Sequence, residues 1–299
     1  MPREIPERVA FLGLGIMGSR MAANVVTAGF PLTVWTHTPG KAERWAGDHG
    51  AVAVSSPAEA AERSDIVISM VVDGEQVASV LVGDGGVIEA AHEGLLCVDM
   101  STIAPPDTRR IGAALAERGV RMLDAPVTGS SPRAEDGSLT IMVGGEQEDF
   151  ARARPLLESM GSLVAHVGEL GKGEMLKLIN NALGAANAAA VAEALLLADA
   201  GGIDLDAFVE IVSSGSGASA QLSLKSAAMR EHDFTPLFKT AHMLKDVRLC
   251  LEEAQTAGVP FPAAAHARDL LTATIGRGHG EQDYAALIEA AEGLAGRTL

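Results

Sequence analysis

The sequence predicts an α/β fold in which a doubly wound sheet is followed by an all-helical domain, the two joined through one long helix. Three observations carry this. An apolar run, Val9 to Leu12, leads directly into glycines at 13, 15 and 18. Strand-like apolar runs then alternate with helical stretches as far as Gly168, the pattern of a parallel sheet with crossover helices. From Met175 to Ala200 the helical character runs on almost without turn signals, and only helical segments follow.

In order, residues 9–13 read as the first strand and 16–29 as its helix, ended by Gly29. Residues 32–35 form the second strand, 39–50 a helix, 51–54 a short strand and 59–64 a helical turn region. The near-continuous apolar run 66–71 is expected of a central parallel strand buried on both faces. Helix 76–82 and strand 95–100 come next, then a helix from the two prolines at 105 and 106 to Gly119. Strands at 121–125, 139–143 and 163–167 complete the sheet. Further helices are expected at 204–213, 218–229, 237–257, 262–274 and 283–294. The domain division follows as 1–168 and 169–299.

Composition narrows the function classes. The 299 residues hold 23 Lys and Arg against 39 Asp and Glu, a formal net charge of -16. Such a surface disfavours nucleic acid and anionic membrane, so neither is expected as a partner. Any anionic ligand must be held by local donors. Cys97 and Cys250 are isolated in apolar segments and read as buried free thiols. Eight histidines show no ligand spacing, so no metal is expected. Arg3, Glu4, Glu7 and Arg8 precede the first strand without the basic-then-apolar pattern of a leader. Leu178 to Ala192 carries three asparagines and reads as too short and polar to span a bilayer, which together give a cytoplasmic expectation.

The glycine spacing G-x-G-x-x-G (Gly13, Leu14, Gly15, Ile16, Met17, Gly18) allows a sharp turn, close approach to a pyrophosphate and entry into a helix whose first amides bind the anion. The same spacing also serves structural turns. A carboxylate about 20 residues further on would hold the ribose of NAD. Here the second strand ends Trp35-Thr36-His37-Thr38, with Lys41 behind. Thr36, His37 and Thr38 can donate to a 2'-phosphate, so the strand end leans toward NADP, with NAD as the alternative. Met70, Val71 and Val72 leave the fourth strand along the cofactor side. Ser101 and Thr102 offer hydroxyls near a ribose or nicotinamide, or equally a helix N-cap ahead of the prolines.

Two further segments carry polar groups. Thr128, Gly129 and Ser130 follow a strand in a loop whose amides can form an anion nest. The same composition also makes an ordinary turn. Lys177 and Asn181 stand four apart on one helix face with Leu178, Ile179 and Leu183 around them. A lysine against an apolar wall is costly to desolvate, and such a group can serve acid–base chemistry. The alternative is a stem that snorkels to the surface. The long helix is short of charge over 15 residues, which calls for cover on most faces, by its own domain or by a second subunit.

The stretch Phe11 to Ala22 resembles the N-terminal motif of the beta-hydroxyacid dehydrogenases. That family includes 3-hydroxyisobutyrate dehydrogenase, tartronate semialdehyde reductase and the glyoxylate/succinic semialdehyde reductases. Asp124 to Gly129 is similar to its substrate-binding segment, Gly171 to Asn181 to its catalytic segment, and Lys245-Asp246 to its later cofactor-side pair. The resemblance spans essentially the whole chain. It implies a Rossmann-type domain, hydride transfer between NAD(P) and a small hydroxyacid or semialdehyde, and a homodimer or homotetramer. It further implies Lys177 as general acid/base, Asn181 orienting substrate, and Thr128, Gly129 and Ser130 holding the substrate carboxylate. Phe238 would be a pocket wall, Lys245 would line the cofactor, and Asp246 would organise its helix. Ser130 departs from the family's usual glycine. Arg133 to Gly137 brings this loop nearer the glyoxylate/succinic semialdehyde reductase branch. An imine reductase, a fold relative that generally lacks the lysine, and an inactive NADP-binding scaffold are the alternatives.

Overall fold

The computed structural model describes residues 6–299, so Arg3 and Glu4 lie outside the described residues. The chain divides into two units, Met1–Lys177 and Leu178–Leu299.

The strands of the first unit are β1 (Val9–Leu12), β2 (Leu32–Trp35), β3 (Val52–Ala53), β4 (Ile66–Ser69), β5 (Leu96–Asp99), β6 (Arg121–Asp124), β7 (Val127–Thr128), β8 (Leu139–Gly144) and β9 (Gly161–Gly168). They form one sheet in the order β3-β2-β1-β4-β5-β6-β8-β7, with β9 paired to β8. From β3 to β6 every pairing is parallel, whereas β8 runs antiparallel to β6 and β7. The sheet is therefore mixed at one side. The strand order reverses between β1 and β4, which is where open α/β sheets bind ligands.

Helices α1 (Ile16–Thr27), α2 (Lys41–His49), α3 (Pro57–Glu62), α4 (Gly74–Val82), α5 (Pro105–Ala116), α6 (Ser130–Glu135) and α7 (Gln147–Leu157) complete this unit. In β1, Val9 and Phe11 enter one core and Ala10 and Leu12 the other. Both faces are thus covered, which explains why the central strands read as unbroken apolar runs. The sequence reading missed two α-helices, a 3-10 turn and a strand: α6, α7, Val87–Ala90 and the two-residue β7 occupy stretches read as loop or left without an element. Ser130, Ser131 and Pro132 look like turn residues, but a proline in a helix's first turn loses no intrahelical hydrogen bond.

α8 (Lys172–Ala200) begins in the first unit and continues into the second. It is long and apolar enough to cross a bilayer by length and composition, and 56% of its most apolar window is buried within the protein. The segment 178–192, read as too short to span, is part of this longer helix. The second unit adds α9 (Leu205–Ser214), α10 (Ala220–Glu231), α11 (Thr240–Thr256), α12 (Pro262–Gly276), a 3-10 turn at Tyr284–Ala286 and α13 (Leu287–Ala295). Ala182, Ala185, Ala188, Ala189 and Ala192 line the buried side of α8, and small side chains permit close helix approach. A buried ion pair organises this unit: Lys225 Nζ lies 2.7 Å from Asp283 Oδ1 and 4.3 Å from the centre of the Tyr284 ring. Asp283 also accepts the backbone N–H groups of Leu237, Phe238 and Ala285. Every oxygen of that carboxylate is engaged, as a buried charge requires.

At the end of β5, Asp99 is fully buried. One of its oxygens accepts hydrogen bonds from the Ser69 and Ser101 hydroxyls, each at 2.7 Å. Ser101 Oγ in turn accepts the Val71 N–H at 3.0 Å, so one carboxylate ties together the chain leaving β4 and the chain leaving β5. Burial pushes the Asp99 carboxyl up from 3.8 to about 6, against the serine hydrogen bonds that favour its charged form. The stability it lends when protonated is fully present below about pH 4. It is lost as pH rises through about 6, a difference of roughly 3 kcal/mol. Asp99→Asn keeps an acceptor for the serines and removes that titration. In urea unfolding, the variant is expected to gain about 2 kcal/mol on the parent between pH 4.5 and pH 7.5. A stability difference that does not change with pH would show that Asp99 carries no such load.

Candidate active site

Several segments singled out from the sequence lie at the carboxyl ends of the strands of the first unit. Gly13 stands at the end of β1 with φ +106°, and a Cβ there would collide with the Met70 carbonyl. Gly18, in the first turn of α1, would collide in the same way with the Gly13 carbonyl. These two glycines press the turn against the neighbouring strand end and against itself. Gly15 differs: a Cβ on it meets nothing within 4 Å. Gly15 and Ile16 are exposed, no side chain caps α1, and its first turn holds no acidic residue. Open space over an uncapped helix start is what a pyrophosphate needs, so the residues fit a dinucleotide.

The other cofactor-side segments fall alongside. Thr36 is half-buried and His37 and Thr38 are exposed beyond β2, with His37 Nε2 3.5 Å from Thr38 Oγ1. Met70 and Val71 are half-buried after β4, and Val72 is 50% exposed. Asp73 caps α4 by accepting the Gln76 N–H at 2.9 Å. Ser101 does not cap α5, whose first residue is Pro105 and whose N-cap is Ala104. Its hydroxyl is instead committed to Asp99 and to the Val71 amide, and the residue is 1% exposed. Ser101 therefore shapes the loop, while Thr102 beside it is half-buried.

Thr128 closes β7, and Gly129 and Ser130 begin α6; all three are half-buried. Gly129 has φ +141°, and Ser130 has φ +59°, the left-handed region that favours glycine. A non-glycine residue there costs about 1 kcal/mol or more, and such strain concentrates at functional loops. The position where the family usually has glycine thus keeps a glycine-like backbone while carrying a hydroxyl.

On α8, Lys177 and Asn181 are both buried, at 7% and 5% exposure. The snorkelling alternative for Lys177 therefore fails. Within the helical unit, Asn181 Nδ2 donates to Asp246 Oδ2 at 2.7 Å, and Lys245 Nζ lies 3.1 Å from Asp246 Oδ1. Asp246 is 1% exposed and joins α11 to α8, the organising role expected of it. Phe238 is half-buried, its ring edge-on to His242 at 6.1 Å and to Tyr284 at 6.3 Å. Burial, then Lys245 and Lys239, pushes the His242 pKa down, favouring the neutral imidazole.

Two carboxylates at this sheet end were not assigned roles from the sequence. Asp99 belongs to no motif. Asp124 was singled out only as part of the substrate-binding segment, yet its side chain is wholly buried and faces the start of α8. A carboxylate ending a strand inside an otherwise apolar sheet is the one signal the sequence offers for either.

Residues 8–168 match the NAD binding domain of 6-phosphogluconate dehydrogenase, and residues 171–291 match the NAD-binding domain of NADP-dependent 3-hydroxyisobutyrate dehydrogenase. The chain is 37% identical to 2-hydroxy-3-oxopropionate reductase of Escherichia coli, over 98% of this chain and 99% of that protein. It is 34% identical to glyoxylate/succinic semialdehyde reductase 1 of Arabidopsis thaliana, over 94% and 97%. A solved 3-hydroxyisobutyrate dehydrogenase of Mycobacterium tuberculosis superposes with a TM-score of 0.86 at 32% identity, covering 96% of this chain and 99% of that one. The chain belongs to the beta-hydroxyacid dehydrogenase family, the 3-hydroxyisobutyrate dehydrogenase-like NAD(P)-binding oxidoreductases, close to their glyoxylate/semialdehyde reductase branch.

Proposed function

We propose that this protein interconverts a small semialdehyde and the corresponding hydroxyacid, with residues 1–168 binding NAD(P) and residues 169–299 serving substrate and subunit contacts. The observation that carries this reading is Lys177. It is a buried lysine in the second turn of α8, at the position the family gives its catalytic lysine. The names of the relatives support the substrate class. The retained lysine counts against both an inactive scaffold and an imine reductase.

The nicotinamide, when bound, supplies or accepts the hydride. Gly13 to Gly18 would hold its pyrophosphate, with Met70 to Val72, Thr102 and Lys245 along the remainder; Ser101, buried and committed to Asp99 and the Val71 amide, would act only by shaping that loop. In reduction, Lys177 Nζ in its ammonium form stabilises the negative charge developing on the carbonyl oxygen and gives it a proton. In oxidation the neutral amine takes the hydroxyl proton. Thr128, Gly129 and Ser130 anchor the substrate carboxylate by backbone and hydroxyl donors, and Asn181, held by Asp246, orients the reacting end. Phe238 walls the pocket. Lys177→Ala is expected to lower turnover at least about a hundredfold while sparing cofactor binding. The assay uses 2-hydroxy-3-oxopropionate, glyoxylate, succinic semialdehyde, 3-hydroxyisobutyrate and a cyclic imine, each with both cofactors. A Lys177→Ala rate close to the parent, or turnover of the imine alone, would overturn the assignment.

Of the two cofactors, the end of β2 favours NADP, with NAD as the alternative. No acidic residue stands at the end of β2, and Thr36, His37 and Thr38 carry donors that would suit a 2'-phosphate. A carboxylate there would repel that phosphate. His37→Asp is expected to cut kcat/KM with NADPH by about tenfold or more, with a smaller change for NADH. Equal losses with both cofactors would remove this segment from the discrimination.

The assembly is a homodimer or homotetramer in the cytoplasm, built through α8. Leu176, Ile179, Leu183 and Leu197 lie along one side of that helix at spacings of three, four and fourteen, and remain 40%, 39%, 52% and 74% exposed. A stripe of large apolar side chains on a single chain marks a contact surface. Leu183→Glu is expected to shift the sedimentation coefficient toward that of a monomer. An unchanged coefficient would place the contact elsewhere.

A further inference from the structure

Asp124 opens the segment that ends in Thr128, Gly129 and Ser130, but its carboxylate does not share their surroundings. The residue is 0% exposed. One oxygen accepts the Gly171 N–H and the other the Glu174 N–H, each at 2.7 Å, and the Gly173 N–H adds to the same set. These amides belong to the first turn of α8 and the residue before it. The first amides of a helix have no partner within the helix, and a carboxylate placed there also meets the positive end of the helix dipole. Burial raises the Asp124 pKa, while these backbone donors hold the ionised form against that rise.

The contact has no slack. A Cβ on Gly173 would stand 2.8 Å from Asp124 Oδ2 and 3.0 Å from the Asp124 carbonyl oxygen. A Cβ on Gly144 would stand 2.8 Å from the Glu169 carbonyl oxygen and 2.9 Å from the Gly173 nitrogen. Two glycines, one on β8 and one on α8, are thus needed for the helix start to sit against the strand ends. Lys177 lies three residues beyond Glu174, about 4.5 Å along the helix axis.

We infer that Asp124 is a positioning residue for Lys177: by capping the first turn of α8 from the end of β6, it fixes where along the sheet edge the lysine emerges. This rests on the reading of Lys177 as the acid/base. The side chain has no oxygen left for a substrate, so its effect on the reaction passes through the helix. A misplacement of about 1 Å can cost on the order of a hundredfold in rate, and asparagine at 124 sets an NH2 group against a backbone N–H.

The test measures kcat, KM, the dissociation constant of NADPH and thermal melting for Asp124→Asn and Gly173→Ala. The substrate is whichever compound of the panel above is turned over fastest. Both variants are expected to lose about 10- to 100-fold in kcat, with the NADPH dissociation constant within about threefold of the parent, since the glycine turn at β1 is untouched. In a Lys177→Ala background, Asp124→Asn is expected to cause no additional loss. A folded Asp124→Asn enzyme with kcat within twofold of the parent would overturn the proposal, as would an equal further loss on top of Lys177→Ala. If Asp124→Asn does not fold, Gly173→Ala decides by the same kcat criterion. Should Lys177→Ala itself retain the parental rate, the lysine reading falls and takes this one with it. An inactive Lys177→Ala beside a fully active Asp124→Asn removes the positioning role alone.

Discussion

Two buried carboxylates, Asp99 and Asp124, are register partners at the ends of the neighbouring parallel strands β5 and β6. The sheet end depends on how their charge is accommodated. Adjacent strands lie about 4.8 Å apart, so two ionised carboxylates there repel through a poorly screened interior. The protein treats them differently. Asp124 receives backbone N–H groups at a helix start, which favour an anion strongly. Asp99 receives two serine hydroxyls and one longer backbone N–H, from Ser101 at 3.3 Å, all on a single oxygen, and burial pushes its carboxyl to about 6. Each then does a separate job. Asp99 knits the chain leaving β4 to the chain leaving β5, and Asp124 knits the sheet to α8. The loops on the cofactor side and the lysine side are therefore anchored by two neighbouring residues of one sheet edge.

This division also explains the glycines. A strand end can accept a helix start only where both backbones approach without Cβ atoms between them, and Gly144 and Gly173 supply that on the lysine side. Gly13 and Gly18 do the same on the cofactor side, between β1, the chain leaving β4 and the start of α1. Gly15 is the exception that faces open space. Close packing thus accounts for two glycines of the motif and leaves the third open for the proposed ligand approach, and the two uses share one spacing.

Much of the architecture was legible because periodicity reports burial directly. The apolar runs of β1, β4 and β5 are continuous because both faces are covered, and α8 reads as helix because Gly184 is its one interior turn signal. What escaped the reading has physical reasons. β7 is two residues long and has no period to show. The first turn of α6, Ser130-Ser131-Pro132, looks like a turn because residues suited to helix starts are also turn residues. α7 is rich in charge and carries Pro155, which mask its short apolar stripe of Phe150, Ala153, Leu156 and Leu157. Ser101 looked like a cap because prolines follow it, but helix α5 begins at Pro105 and leaves the serine free to serve Asp99. Partnerships such as Lys225 with Asp283, or Asn181 with Asp246, join residues 58 and 65 positions apart and leave no trace in local pattern.

The net charge of -16 opposes, at long range, the anionic cofactor and carboxylate substrate proposed for the site. Screening resolves the conflict: at physiological salt the Debye length is about 8 Å, so most surface carboxylates are not felt at the strand ends. What decides binding is the set of donors within a few ångströms. Backbone N–H groups at an uncapped helix start are well suited to that task, since they carry no formal charge to be cancelled by the acidic surface and are held in place by the fold. A cation is then needed only where the reaction itself places negative charge, the role proposed above for Lys177, which is buried on α8. The tight seating of α8 through Asp124 follows from the same logic. With few cations in play, the position of one has to be set by backbone contact, because a diffuse basic field is not there to compensate for a misplaced lysine.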